Sequence, residues 1–351
     1  MDHNINHRKT EHIRLCLTEN VEGVNKSTGF EGIQFIHNAL PEINFKHISL
    51  HTHFLNKELQ APFLVSSMTG GSELAITINQ NLAIAAEEKG WALAIGSTRA
   101  MLESDTYKDS FLLREQAPTV PFIVNLGAVQ LNYGYGAEEV KKIVDLTRAD
   151  SIVLHLNSIQ EVIQDGGDLN FENLLPKIEQ VCHTLDVPVG VKEVGFGIDG
   201  MTAKKLYNVG ISYIDVAGAG GTSWSQVEKL RTKDPLKKAA AESFNNWGIP
   251  TRDCIISVRS KLPEVPLIAS GGMKTGVDAA KAITIGADIV GFARQLLKVA
   301  TVSVDSVLET MEQIELELKM TMFGIGVKNL GELKNTKRVS VMGRSLLNEN
   351  S

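Results

Sequence analysis

Glycine-rich turns that follow short apolar segments are the first chemical signal in this 351-residue chain. Residues 265–269 are apolar and lead into the turn at residues 270–276, and residues 289–292 lead into Arg294. A glycine turn between a parallel strand and a helix exposes backbone amides at the helix N-terminus, where a phosphate group can bind. One such turn is a weak signal, so the rest of the chain must show whether two phosphate-binding turns lie side by side.

The polar groups that follow eight short apolar segments are mostly donors for anions. The segments occupy residues 62–66, 91–95, 121–124, 151–154, 188–191, 211–215, 265–269 and 289–292. The groups after them are glycines and hydroxyls at Thr69, Gly70, Ser97, Thr222, Gly271 and Gly272, the cations Arg99, Lys192, Lys274 and Arg294, the amides Asn125, Asn157 and Gln160, the imidazole His155 and the carboxylate Glu161. This set lacks the paired carboxylates of a glycosidase and an activated serine or cysteine nucleophile. We therefore expect a bound cofactor to supply the chemistry.

Lys192 is the residue that indicates which cofactor. It ends a central apolar segment, and the two predicted phosphate-binding turns follow later in the chain. A lysine beside the ring of flavin mononucleotide (FMN) would offset the negative charge of the reduced flavin. The alternative for Lys192 is a structural salt bridge at the mouth of the fold, and the alternative for Glu161 is an ordinary solvated acid.

Strands and helices alternate regularly enough to predict an α/β fold, the (β/α)8 TIM barrel. Helical patterns separate the apolar segments at residues 74–89, 137–148, 171–185, 202–209 and 251–261. Every apolar segment ends in polar or glycine residues, as expected at the C-terminal face where barrel enzymes assemble their sites. A doubly wound open sheet is the alternative architecture, although it would not explain eight strand ends that all carry polar groups.

One domain over residues 1–351 is expected, because a barrel needs only ~250 residues and the remainder can form extensions. Residues 1–60 are predicted to be an N-terminal extension with short strands or a hairpin over 33–59, residues 62–300 the barrel core, and residues 303–345 a C-terminal helical tail. The polar segment 224–250, which is long for a loop of this kind, is a lid, a subunit contact or a passive loop. Arg8 and Lys9 form either a solvated basic tail or a clamp for an anion.

Composition argues against several classes of partner. The formal net charge of −6 argues against a nucleic-acid surface, which needs clustered positive charge. The three cysteines are far apart and include no C-x-x-C pair, so they favour neither disulfides nor a zinc site and fit a reducing compartment. No signal peptide or apolar stretch long enough to span a membrane is evident, so we expect a cytoplasmic protein without a membrane partner.

An ordered set of short motifs resembles the type 2, FMN-dependent isopentenyl-diphosphate isomerases. The motifs are Arg8, Lys9 and His12, MTGG at 68–71, GSTR at 96–99, NLG at 125–127, HLN at 155–157 with Gln160 and Glu161, KEVGFG at 192–197, GAGGTSW at 218–224 and GGMKTG at 271–276. Each motif is modest alone, but their order over most of the chain is specific. Two positions depart from the family pattern: Asp199 stands where a small hydroxyl residue is frequent, and Lys274 where arginine is common.

The resemblance implies roles for individual residues. FMN would be held by Ser67, Met68, Thr69, Ser97, Asn125, Lys192, Thr222, Gly272, Met273, Lys274, Ala293 and Arg294. The substrate would be bound by Arg8, Lys9, His12, Ser97, Thr98, Arg99, His155, Asn157 and Gln160. Of these, Gln160, His155 and Asn157 would be catalytic, and Gln160 would lie near the reacting carbons. Glu161 would bind Mg2+, which usually takes one or two protein carboxylates and completes its coordination with phosphate oxygens and water.

The implied reaction interconverts isopentenyl and dimethylallyl diphosphate in isoprenoid biosynthesis, with reduced flavin donating and recovering the proton. NADPH would serve only to reduce the flavin, and the family usually forms homo-oligomers such as tetramers or octamers. Because the strand ends carry four cations and one carboxylate, we expect a mouth that is rich in cations and poor in acids, with no side chain as an obvious proton donor. The alternatives are an FMN-dependent 2-hydroxy acid dehydrogenase or oxidase on the same barrel, and a flavin-binding redox sensor.

Overall fold

Eight parallel strands close into a barrel, as the sequence predicts. The computed structural model describes residues 2–104, 106 and 108–342, with side chains from residue 7 onward. The strands are β1 (Ile33–Phe35), β2 (Thr52–Phe54), β3 (Lys57–Leu59), β4 (Phe63–Val65), β5 (Ala92–Ser97), β6 (Phe122–Gly127), β7 (Ser151–Leu156), β8 (Val189–Glu193), β9 (Tyr213–Asp215), β10 (Leu267–Ala269), β11 (Ile289–Phe292) and β12 (Val339–Val341). Strands β4 to β11 form the barrel, which closes where Val290 of β11 pairs with Phe63 of β4. The alternative prediction of a doubly wound open sheet is therefore wrong.

Helices surround the barrel and alternate with its strands. They are α1 (Asp2–Thr18), α2 (Glu73–Lys89), α3 (Arg99–Glu103), α4 (Ala137–Thr147), α5 (Ser158–Ile163), α6 (Leu174–Thr184), α7 (Gly200–Asn208), α8 (Trp224–Arg231), α9 (Pro235–Glu242), α10 (Thr251–Lys261), α11 (Gly276–Thr284), α12 (Arg294–Ala300), α13 (Val304–Ile325) and α14 (Leu330–Lys334). Their apolar faces bury the outer surface of the barrel in one large core. Among the described residues, no helix has the length and apolar character needed to cross a bilayer.

A second, smaller core fills the barrel interior and is closed at one end. Inward-facing residues such as Leu64, Ile123 and Tyr213 are fully buried there, because alternate residues of each strand point inside. The hairpin of β2 and β3 packs under this core, with the rings of Phe54 and Tyr213 5.4 Å apart. Lys57 of the hairpin binds Asp150, which lies just before β7. The hairpin thus closes the N-terminal end of the barrel in the part of the chain that the structure describes.

The N-terminal extension is joined to the C-terminal tail. A hairpin forms within residues 33–59, as predicted, but the strand β1 pairs antiparallel with β12, with Gln34 opposite Ser340. The sequence did not indicate this pairing, because the two strands are three residues long and lie at opposite ends of the chain. It ties residues 33–35 of the extension to residues 339–341 of the tail.

Asp199 has a local structural role that explains its departure from the family pattern. It precedes α7, and its carboxylate accepts hydrogen bonds from the amides of Met201 at 2.8 Å and Thr202 at 3.0 Å. Such an N-cap satisfies amides that have no partner within the helix. The loop after β8 is therefore fixed at its far end, next to the barrel mouth.

Candidate active site

One cavity at the C-terminal end of the barrel brings together nearly all of the predicted site residues. They are Arg8, Lys9, His12, Ser67, Met68, Thr69, Ser97, Arg99, Asn125, His155, Asn157, Gln160, Glu161, Lys192, Thr222, Gly272, Met273, Lys274, Ala293 and Arg294. The cavity holds about 1740 Å³, including its open mouth. Residues from most of the barrel's strand ends and from helix α1 therefore face one shared cavity.

Thr98 is the exception, and its predicted contact with substrate is not supported. Its side chain is fully buried, and its hydroxyl donates to the carbonyl oxygen of Asn125 at 2.8 Å. The amide of Thr98 donates to the same carbonyl. Thr98 therefore links the ends of β5 and β6 and positions its neighbours Ser97 and Arg99.

The end of β4 offers buried hydroxyls that lack partners. The side-chain oxygens of Ser66, Ser67 and Thr69 are buried and make no hydrogen bond to any described residue. Because a buried hydroxyl without a partner costs free energy, such groups usually face a ligand or ordered water. All three residues line the cavity, so this strand end suits a polar cofactor edge.

The glycine turns after β9 and β10 pack backbone against backbone. Gly271 and Gly272 have φ values of +100° and +74°, which favour glycine. A Cβ atom on Gly272 would lie 2.4 Å from the carbonyl oxygen of Gly220, and one on Gly221 would lie 2.6 Å from the amide nitrogen of Gly272. Any side chain would therefore force the turns apart. The pair forms the close backbone cradle expected of a phosphate site.

Lys192 occupies the centre of the cavity wall, at the end of β8. Its side chain is almost fully buried, and its ammonium group donates to the carbonyl oxygen of Glu193. On the adjacent strand, Asp215 accepts a hydrogen bond from Ser270 at 2.6 Å instead of pairing with the lysine. The geometry therefore does not support the alternative in which Lys192 forms a structural salt bridge. A buried ammonium bound to a carbonyl can neutralise a flavin ring.

His155, at the end of β7, is held as a neutral imidazole. Its Nδ1 lies 2.6 Å from the Oδ1 of Asn125, an acceptor, so Nδ1 carries the proton and Nε2 remains an acceptor. Burial lowers the pKa of His155 to about 3, and the charges of Lys192 and Lys9 act in the same direction. A group with this pKa is a weak base at neutral pH.

Helix α1 lies across the mouth and supplies the predicted anion clamp, so Arg8 and Lys9 are not a solvated tail. Both line the cavity together with Arg99 of α3. Burial, followed by the charges of Arg8 and Arg99, lowers the pKa of Lys9 to about 8. Three positive charges this close together repel each other, so binding of an anion such as a diphosphate among them is favourable.

The expectation that the mouth is poor in acids is wrong. Glu228 of α8 is fully buried and accepts hydrogen bonds from His12 at 2.8 Å, Gln160 at 3.2 Å and Arg231 at 2.5 Å. Although burial acts to raise the pKa of Glu228, the hydrogen bond and charge of His12 and the charge of Arg231 lower it overall. Segment 224–250 is thus not a passive loop, because it folds into α8 and α9 and places the Glu228 carboxylate against His12 and Gln160, which line the cavity.

Two further carboxylates hold Arg99 in place. Its guanidinium group binds Glu103 at 2.7 Å and Asp168 at 2.6 Å. Asp168 also donates its amide to the carboxylate of Glu161 at 2.7 Å. No spacing between residues reveals these contacts, because Asp168 lies in a polar loop 69 residues from Arg99.

Glu161 is a buried acid rather than a solvated one. It accepts hydrogen bonds from Asn157 at 2.8 Å and from the amide of Asp168, and burial raises its pKa. Among the described residues, no group of three or more His, Cys, Asp or Glu side chains is arranged so that it could hold a metal ion. A cation here would need oxygen ligands from a bound phosphate, and the free Oδ1 of Asn157 is a further buried acceptor.

Fold and cavity together define the class of protein. The FMN-dependent dehydrogenase family matches residues 142–340, more than half of the chain. A flavocytochrome b2 variant is similar with a TM-score of 0.69 and 15% identity over 94% of this chain and 83% of that chain. A lactate oxidase from Pediococcus acidilactici is similar with a TM-score of 0.68 and 16% identity over 98% and 95%. These likenesses show the fold alone, and the family match makes the chain an FMN-dependent barrel protein.

Two relatives identify the family within this class. An isopentenyl-diphosphate delta-isomerase from Oceanobacillus iheyensis is 76% identical over 99% of this chain and 100% of the relative. Another from Rickettsia bellii is 49% identical over 94% and 96%. The chain belongs to the isopentenyl-diphosphate delta-isomerase family, which confirms the resemblance in its motifs.

Proposed function

We propose that this protein interconverts isopentenyl diphosphate and dimethylallyl diphosphate, with FMN bound beside the substrate. The observation that carries the proposal is a single cavity with two anion-binding ends. Backbone glycines form one end, and Arg8, Lys9 and Arg99 form the other. Lys192 and His155 lie between them on adjacent strands, with the pair in register.

The residues on the β4, β10 and β11 side suit FMN. Glycine amides with Lys274 and Arg294 would take its phosphate, and the unpartnered hydroxyls of Ser67 and Thr69 would meet its polar edges. Lys192 would stabilise the negative charge of the reduced ring. Reduced flavin, when bound, supplies a proton and recovers one without net oxidation, so NADPH is needed only to reduce it initially.

The residues on the opposite side would bind and orient the diphosphate. The three cations neutralise its charge, and Glu161 would hold Mg2+ against its oxygens, with Asn157 keeping that carboxylate in place. Gln160, which donates to Glu228, is positioned by a buried charge and would lie near the reacting carbons. In this arrangement His12 acts through Glu228, to which it is bound, more than through direct contact with phosphate.

Exclusion of water is the remaining task of the chain. Protonation of an alkene creates a cation that water would capture, so the site must be dry. Helices α1 and α8 cover the mouth, with the ring centroids of His12 and Trp224 5.0 Å apart.

The homo-oligomer expected of the family has a candidate surface in the 224–250 segment. Leu236 is 77% exposed and Trp247 53% exposed, which is unusual for large apolar side chains close to each other in sequence. We propose that this segment serves both as a cover for the site and as a subunit contact. Sedimentation of a Leu236→Glu variant, compared with the wild-type chain, tests the second role.

The experiment that tests the function is a reconstitution. The purified chain is titrated with FMN, the complex is reduced with NADPH, and isopentenyl diphosphate is added with and without Mg2+. We expect dimethylallyl diphosphate as the product, and a dependence on both FMN and Mg2+. Oxidation of a 2-hydroxy acid without isomerisation of the diphosphate would contradict the proposal.

A further inference from the structure

Glu22 binds both of the cations that are predicted to hold the flavin phosphate. Its Oε1 lies 3.1 Å from Nζ of Lys274 and 3.3 Å from Nη1 of Arg294. Arg294 also donates through Nη2 to the carbonyl oxygen of Glu19 at 3.1 Å. A carboxylate therefore sits where the predicted phosphate site has its two positive side chains, and Glu22 lines the same cavity.

The backbone fixes Glu22 at this position. Residue 22 forms a β-bridge with Thr222, and the amide of Ser223 donates to the carbonyl oxygen of Val21 at 2.7 Å. Val21 is fully buried against α8. The segment after α1 is thus anchored to the loop after β9, which carries part of the glycine cradle. The Glu22 carboxylate cannot leave the phosphate end without a change of its side-chain rotamer.

The two ion pairs are weak enough to be exchanged. The side chains of Glu22 and Arg294 are each 35% exposed, and that of Lys274 is 50% exposed. Ion pairs with this much solvent contact contribute little to stability. A phosphate dianion carries more charge and can accept from both cations and from backbone amides together. It would therefore displace the carboxylate, and the two anions would repel each other if both remained.

We propose that Glu22 stands in for the flavin phosphate and competes with it for Lys274 and Arg294. Glu22 keeps the two cations in position before the cofactor binds. Its competition lowers the affinity for FMN but leaves the affinity for a flavin without phosphate unchanged. Glu22 is thus a specificity-determining residue for the cofactor. The inference rests on the proposed FMN site.

The test compares FMN with riboflavin, which has the same ring but no phosphate. Both are titrated into wild-type protein and into the Glu22→Gln variant, and binding is followed by quenching of flavin fluorescence. Glu19→Gln is the matched control, because it removes the same charge three residues away. Among the described residues, Glu19 contacts Arg294 through its backbone carbonyl, which the substitution keeps. Thermal unfolding without flavin shows that all three chains are folded.

We expect Glu22→Gln to bind FMN roughly 3- to 10-fold more tightly than wild type, since two exposed ion pairs no longer compete. Riboflavin should bind the three proteins equally, and the gain for FMN should shrink in concentrated salt because salt screens exposed charges. Unchanged or weaker FMN binding by Glu22→Gln, or an equal gain for riboflavin, would overturn the inference. Absence of FMN binding by the wild-type protein would instead overturn the proposed cofactor site itself.

Discussion

The cofactor side and the substrate side of the cavity are built in different ways. On the cofactor side the critical surface is backbone, where Gly221 and Gly272 approach so closely that no side chain fits. On the substrate side the critical groups are charged side chains that hold each other, as in the pairs of Glu228 with His12 and of Asp168 with Arg99. A surface of backbone is fixed by sterics, whereas a network of charges depends on every partner.

This difference determines how each side should respond to mutation. A buried charge that loses its partner is strongly destabilised, and the effect spreads through the network. A backbone cradle responds only to changes in the turns that form it. The substrate side should therefore be more sensitive to conservative substitutions, and its defects should appear in turnover while flavin binding persists.

The largest effect is expected from Glu228→Gln. His12, Gln160 and Arg231 would lose a shared buried anion, and the positions of the groups near the reacting carbons would relax. We expect turnover to fall by about 10²-fold, the loss that a misplacement of reacting groups by about 1 Å can cause, and FMN affinity to change little. Steady-state kinetics and flavin titration measure the two quantities.

Glu242→Gln provides the control for that experiment. Glu242 lies in the same 224–250 segment, but its side chain is 60% exposed and pairs with Lys229 at the surface. Turnover of this variant should be close to that of wild type. A similar loss in both variants would mean that the segment acts only as a cover and that Glu228 has no special role.

The next largest effect tests the cofactor side through Gly272→Ala. Here φ is +74° and the new Cβ atom would lie 2.4 Å from a backbone oxygen, so the turns must separate. We expect FMN to bind on the order of 10- to 100-fold more weakly, from the few kcal/mol that such strain costs. Gly166→Ala is the matched control, since its φ of +68° is similar and nothing lies near its Cβ position. It should leave FMN affinity unchanged.

Lys192→Met should shift the reduction potential of the bound flavin. The methionine keeps the length of the side chain but removes the positive charge that would stabilise the reduced, anionic ring. We expect the potential to become more negative by on the order of 30–60 mV, where about 30 mV corresponds to a tenfold change for two electrons. Equilibration with redox dyes measures it, and an unchanged potential would place Lys192 away from the ring.

The smallest expected effect is the pH dependence of diphosphate binding, which depends on the charge of Lys9. With a pKa of about 8, Lys9 is charged below that pH and loses its charge above it. The KM for the diphosphate should therefore rise by up to about tenfold between roughly pH 7 and pH 9. An ordinary lysine, with a pKa of about 10.4, loses its charge at higher pH. Lys9→Arg should flatten this rise, because arginine remains charged. An identical pH profile in both proteins would exclude Lys9 as its cause.

The difference between the cofactor side and the substrate side also explains how much of the site could be predicted from the sequence. All eight barrel strands and the glycine turns were predicted, because apolar segments and glycines at strand ends are local signals. The roles of Glu228 and Asp168 were not, since neither has a neighbour in sequence that marks it as buried. Their burial comes from α8 and from a loop that fold back over the mouth. Thr98 shows the reverse case, in which a residue within a correct motif turns away from the cavity.

The pairing of β1 with β12 was missed for a related reason. Strands of three residues carry almost no pattern, and their register depends on how the extension and the tail run around the barrel. Local chemistry therefore predicts the barrel and the cofactor cradle well. Contacts between distant segments require the folded chain.

The most direct test of the proposed isomerase activity measures how many product molecules are formed for each bound flavin. The FMN complex is reduced once with a stoichiometric reductant under anaerobic conditions and is then given excess isopentenyl diphosphate with Mg2+. We predict many molecules of dimethylallyl diphosphate for each flavin, with the absorbance spectrum still that of the reduced form. Turnover that stops after one product for each flavin, with the flavin oxidised, would contradict an isomerase and indicate an oxidoreductase.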